Sequence, residues 1–218
     1  MANGSSIIKL DKTGFPLICL GDFYISLFPV SKYQFEKFLS GFGCKGEMFT
    51  QTWYKEVLDI NSRIVWWDKD AFKNTPWNLF ITGLYKNEID VFISYMGNEY
   101  QLPDVCQWKL LLDFEKEKNQ QKQKIIEELS RMNAAKPSIF WVENNMFPLA
   151  EEGLWEMTID KGRLCGIGKP WQKFQPNSWK PDDARGIMND NDRIKYLGFR
   201  LLVSNKSKIL KRPENFQL

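Results

Sequence analysis

The sequence predicts an α+β domain: a few helices, small antiparallel sheets and much irregular coil. Three observations predict it. Helix start and stop signals bracket amphipathic stretches between residues 31 and 112. Strand-like runs are few and short. The C-terminal half is broken by Pro148, Pro170, Pro176 and Pro181 and by Gly153, Gly162, Gly166, Gly168, Gly186 and Gly198, residues that interrupt regular backbone. There is no internal repeat. A chain of 218 residues can bury a substantial core. With 15% aromatics and nine Trp, that core should rest on rings more than on Val and Ile.

The stretch GDFYISLFPVSKYQFEKFLSG reads as a short strand followed by a helix. Ser31 caps, Gln34 completes a capping box three residues on, and Val30 and Phe35 occupy the staple positions. Phe35, Phe38 and Leu39 form the apolar stripe, and Gly41 is expected to stop the helix. In NEIDVFISYMG, Ile89, Phe92, Ile93 and Met96 follow the i, i+3, i+4, i+7 spacing of one helix face, with Gly97 as the stop. YQLPDVCQW opens a third helix. Pro103 confines Leu102 to extended geometry, Asp104 caps with Gln107 at the third position, and Val105, Trp108, Leu111 and Leu112 supply the buried face.

Residues 113–136 change character. DFEKEKNQQKQK is almost wholly polar, and IIEELSRM regains amphipathicity through Ile125, Leu129 and Met132. An extended or inserted helix is expected, laced by i,i+4 Glu–Lys pairs, and then the loop NAAKPSIF. The helix is either a solvated face or a partner-binding element presenting Ile125, Ile126, Leu129 and Met132. Strands are expected at LWEMTID and GFRLLVS. Residues 1–204 form one domain, and the basic residues 205–218 a tail, either solvated or a docking peptide.

Composition removes several functions. A net charge of +3 is too small to argue for nucleic acid, which needs a concentrated basic face. No apolar run approaches the roughly 20 residues of a membrane span, and the opening MANGSSIIKLDKTG lacks the regions of a signal peptide. Cys19, Cys44, Cys106 and Cys165 form no CxxC pair and are expected to be reduced thiols in a cytoplasmic protein. The chain has no histidine. That excludes a Ser-His-Asp triad, a Cys-His dyad, an HExxH zinc site and a two-His-one-carboxylate iron site. Carboxylates, Lys, Tyr and Cys remain as reactive groups.

Taken in order, these segments resemble one family, the formylglycine-generating-enzyme (sulfatase-modifying-factor) domain, a variant of the C-type-lectin fold. FYISLFPVSKYQFEKFL is similar to its opening strand and helix, and ITGLYKNEIDVFISYMGNEYQLPDVCQW to its block ending in YRLPTEAEW. GLWEMTID is similar to its GNVWEWT strand, CGIGKPW stands where the family has RGGSW, and YLGFRLLVS matches the closing GFR strand. The resemblance covers roughly residues 15–204. It implies structural roles for Pro103, which turns the chain into the third helix, and for Trp108, Trp155 and Phe199 as core. It also implies close backbone approach at Gly198 and a satisfied structural charge at Arg200.

The family's chemistry is where this chain departs. Copper-dependent members hold Cu(I) between two thiolates, soft ligands that select that ion. The matching stretch here, KPWQKFQPNSWKPDDARG, has no cysteine, and Cys165 stands alone before it. Histidine-based iron sites of other relatives cannot be built. The family's calcium loop has lost its Asn, leaving Glu151, Glu152 and Glu156 as the nearby carboxylates. No cofactor is therefore expected, with calcium the one left open.

The resulting expectation is a pseudoenzyme that binds through its surface, since loops on a rigid base commonly carry recognition. Residues 165–190 are the candidate face. Trp171, Phe174 and Trp179 beside Lys169, Lys173 and Arg185 have the aromatic-plus-Arg makeup of an interface core, and the same rings could instead cover the sheet. A second aromatic pair, Trp66 and Trp67, would face opposite ways on a strand. The expected partner is another protein in a hetero-complex. The resemblance implies an accessory subunit of a bacterial defence or signalling system, CRISPR- or protease-linked. Two other classes stay open. One is a metal-dependent oxidase or oxygenase with an unorthodox site, using Cys165 with Lys169 or the pair Asp182 and Asp183. The other is a small-ligand or sugar-binding module, for which the run MNDND at 188–192 is a weak substitute for the absent WND and EPN signatures.

Overall fold

A computed structural model describes residues 8–41, 48–53, 57, 80–116, 124–125, 127–128, 131, 154–169, 180, 182, 184–187, 193–194 and 196–204. Among them are two small sheets, three helices and one further helical turn, an α+β arrangement. The helices are α1 (Lys32–Gly41), the turn α2 (Gln51–Trp53), α3 (Lys86–Met96) and α4 (Val105–Lys116). The strands are β1 (Ile8–Leu10), β2 (Pro16–Leu20), β3 (Phe23–Ser26), β4 (Tyr100–Gln101), β5 (Trp155–Asp160), β6 (Arg163–Ile167), β7 (Arg185–Gly186), β8 (Leu197–Phe199) and β9 (Leu202–Ser204). The first sheet runs β1-β2-β3-β9-β4 and is antiparallel throughout. The second runs β7-β6-β5-β8. Its β5–β8 pair is parallel, which corrects the expectation of antiparallel sheets alone.

Local signals place the helices. At α1 the Gln34 amide donates to Ser31 Oγ at 3.1 Å and the Ser31 amide donates to Gln34 Oε1 at 3.0 Å, the reciprocal capping box. Val30 and Phe35 are both buried in one cluster. Gly41 is the last helical residue and not a stop beyond it. α4 repeats the device: Gln107 N–H donates to Asp104 Oδ1 at 2.7 Å and Asp104 N–H to Gln107 Oε1 at 2.8 Å. Trp108, Leu111, Leu112 and Phe114 face inward. Cys106 lies on the exposed side of this helix, with Lys109 and Leu110. In α3, Ile89, Phe92 and Met96 are buried while Ile93 is only partly so.

Two hairpins close on two-residue loops. The β2–β3 loop is two residues, Gly21 and Asp22, with Gly21 at φ 66°. The β5–β6 loop is Lys161 at φ 48° and Gly162 at φ 79°, the positive-φ pair of a type I′ turn. β1 is tied to β2 by the Asp11 carboxylate, whose Oδ1 accepts from Thr13 N at 2.7 Å, Thr13 Oγ1 at 2.5 Å and Phe15 N at 3.0 Å. Its Oδ2 accepts from Gln34 Nε2 at 3.0 Å, so the same buried carboxylate anchors the loop to the start of α1. Burial pushes the Asp11 carboxyl up, and these donors oppose that push.

The run GFRLLVS does not form one strand. It splits into β8 and β9, which belong to different sheets. The chain crosses between sheets at Arg200 and Leu201, both fully buried. Two large apolar clusters result, beside a small one of Leu17, Tyr24 and Val203. One gathers Ile18, Ile25, Trp108, Leu111, Leu154 and Ile167 with the first sheet and α4. The other is ring-rich, with Phe35, Phe38, Trp53, Phe92, Trp155 and Phe199. Ile125 is fully buried in the first cluster, so it is a core residue and not a surface offered to a partner.

Two glycines fit because a side chain would not. At Gly198 a Cβ would lie 2.9 Å from Leu154 Cδ1 and 3.3 Å from the Ile81 carbonyl. At Gly166 it would lie 2.1 Å from Trp155 Cε2, because the indole rests on this position. Gly166→Ala is therefore expected to cost about 1–3 kcal/mol, as overpacked cores do. Gly186→Ala, where no atom comes within 4 Å, should stay within about 0.5 kcal/mol of the parent. Urea unfolding of the two variants checks this, and equal midpoints would refute the close-contact account of Gly166.

Candidate functional site

Of the residues singled out by sequence, Trp155, Cys165, Gly198, Phe199 and Arg200 lie on the second sheet or at its junction with the first. Arg200 sits where the chain leaves β8. Its Nε donates to Glu156 Oε2 at 2.7 Å, and its Nη1 donates to the carbonyls of Ser26 at 3.2 Å and Leu27 at 2.5 Å. Glu156 belongs to β5, and Ser26 ends β3. One guanidinium thus joins both sheets, and neither member of the ion pair is exposed. Arg200 has the fork geometry for this and no deprotonated form to escape into. Pro103 acts nearby: its carbonyl accepts from Ile159 N–H at 3.1 Å, fastening the entry of α4 to β5. Trp108 and Phe199 are fully buried, and Trp155 nearly so.

Cys165 lies on β6 opposite Thr158 and is buried. Its Sγ is 3.3 Å from Thr158 Oγ1. Burial pushes the thiol up, more than the Thr158 hydroxyl pulls it down. A protonated, enclosed thiol is a poor nucleophile and a poor metal ligand. With native protein at pH 8, iodoacetamide is expected to label the exposed Cys106 well before Cys165, with both reacting in urea. Mass spectrometry of the alkylated peptides measures this, and equal native rates would overturn the enclosed-thiol assignment.

Among the described residues, these groups do not fit the metals the resemblance implies. A two-thiolate Cu(I) site needs a second sulfur beside Cys165, and the glycine-rich stretch offers none. Iron held by imidazole cannot be built in a chain without histidine. Glu156, one of the three carboxylates near the calcium loop, is held by Arg200 in the interior, an adverse setting for a cation. Glu151 and Glu152 lie outside the described residues. Among the described residues no three His, Cys, Asp or Glu converge in a way that could hold a metal ion.

Of the candidate binding residues, Lys169 is half-buried just beyond β6 and Arg185 is half-buried on β7. The strand register sets Arg185 opposite Gly166, the residue on which the Trp155 indole lies. Arg185 and Gly166 therefore share one face of the second sheet. Trp171, Lys173, Phe174 and Trp179 lie outside the described residues, as do Leu129, Met132, Ile126, Trp66, Trp67, Asp183, residues 188–192 and the tail. Asp182 is exposed.

One polar cluster has no counterpart in the sequence analysis. The Glu88 carboxylate, on the first turn of α3, accepts from Arg193 Nη2 at 2.7 Å and Nη1 at 2.8 Å. It also accepts from Trp53 Nε1 at 2.6 Å and Tyr85 N at 2.8 Å. Arg193 Nη1 reaches the Gly83 carbonyl at 2.9 Å, and the guanidinium lies 4.2 Å over the Tyr85 ring. The cluster ties α2, the start of α3 and the approach to β8 together. The available signal was Glu88 three residues after Tyr85, a box-like spacing without a Ser, Thr, Asp or Asn cap.

Together the fold and site define an α+β protein of two small sheets in which Glu156 pairs with Arg200 and Glu88 with Arg193. No protein-family model matches the chain, and no curated protein or solved structure matches it either. No helix among the described residues is long and apolar enough to cross a membrane.

Proposed function

We propose that the chain is a C-type-lectin-like domain of the formylglycine-generating-enzyme type that has kept the frame without its chemistry. It serves as a non-catalytic, protein-binding accessory subunit of a cytoplasmic hetero-complex in a bacterial defence or signalling system. The observation that carries this reading is the environment of Cys165, the one thiol beside the glycine-rich stretch. It is buried against Thr158 and held protonated. Support also comes from Arg200 and Glu156, whose charges join the sheets and are not turned to a substrate. Binding then falls to the β6–β7 edge, where the half-buried Arg185 pairs with Gly166 and Lys169 follows β6. In the sequence, Trp171, Phe174 and Trp179 fall between these two strands.

The test is affinity purification of the tagged chain from its native host, followed by gel filtration. One protein is expected to co-elute in fixed stoichiometry. It should be lost when Trp171, Phe174 and Trp179 are changed together to Ala in a variant whose melting temperature is unchanged. Copper or iron bound one-to-one in the purified chain, and lost in Cys165→Ala, would overturn the proposal in favour of an oxidase.

A further inference from the structure

We draw no further inference here: the strongest candidate, the shallow hollow of about 430 Å³ along the outer face of α1 lined by Tyr33, Glu36, Lys37, Ser40 and Gly41, carries nothing because its charges cancel and nothing in the structure shows what covers it.

Discussion

Replacing Arg200 with Met is expected to destabilise the protein by about 3–5 kcal/mol, the usual cost of stripping one partner from a buried ion pair. In a chain of this size each kcal/mol moves the melting temperature by about 2–4 °C, so a fall of roughly 10 °C is expected. The size of the effect follows from position. Glu156 would remain in the interior with no opposite charge, since neither side chain of the pair is exposed. The carbonyls of Ser26 and Leu27 would lose their donor at the same time. Because Glu156 is on one sheet and Ser26 on the other, the loss falls on the junction of the sheets.

The double variant Glu156→Leu with Arg200→Met separates charge from shape. It removes the uncompensated carboxylate and should be more stable than Arg200→Met alone, as apolar replacements of buried pairs often are. Recovery should be incomplete, because two buried carbonyls still lack a partner, at roughly 1–3 kcal/mol for each unsatisfied group. Thermal and urea unfolding of the single and double variants supply the cycle. A loss below about 1 kcal/mol in Arg200→Met would remove the ion pair from any structural role.

What was legible in the sequence was what short-range chemistry decides. Ser31 with Gln34 and Asp104 with Gln107 are three residues apart, and each pair closes on itself. That is why α1 and α4 could be placed from sequence alone. The strands depended on distant partners. β1 is held through Asp11, which meets Gln34 from 23 residues away. GFRLLVS reads as one short strand, and it divides at Arg200, which bonds Glu156 from 44 residues earlier in the chain. β8 lies parallel to β5, a pairing no turn could signal. Ile125 sits on an amphipathic stripe that suits a core and a partner equally, and only packing showed that it belongs to the core.

The candidate site divides the same way. Absent histidine and the solitary Cys165 are facts of composition and could be weighed at once. That Cys165 faces Thr158 required the β5–β6 register. The Glu88–Arg193 pair spans 105 residues, and the box-like spacing of Glu88 after Tyr85 says nothing of that distant partner. Gly166 looked like one loop breaker among several. It is instead a strand residue selected by the Trp155 ring above it.

Phe35→Ala is expected to be the second large loss, about 3–5 kcal/mol, as for other fully buried rings truncated to Ala. Phe35 is fully buried at the centre of the ring-rich cluster. Its centroid is 5.1 Å from Phe38, 5.1 Å from Phe92, 5.6 Å from Trp53 and 6.1 Å from Phe49. Each such ring pair is worth about 0.5–1.5 kcal/mol beyond its buried area, so truncation loses several contacts and leaves a cavity bounded by three elements. Two controls decide between cavity and helix. Glu36→Ala, on the exposed side of α1, also raises helix propensity, by less than Phe35→Ala does, and should change stability by less than about 0.5 kcal/mol. Phe35→Leu keeps most of the volume and should lose less than Ala does. The loss should also reach beyond α1, because Trp53, stacked on Phe35, donates to the carboxylate that holds Arg193. Loosening the ring therefore loosens that clasp, and Glu88→Gln made in the Phe35→Ala background should cost less than in the parent. Fully additive urea-unfolding energies would show that the aromatic cluster and the Glu88 clasp act independently.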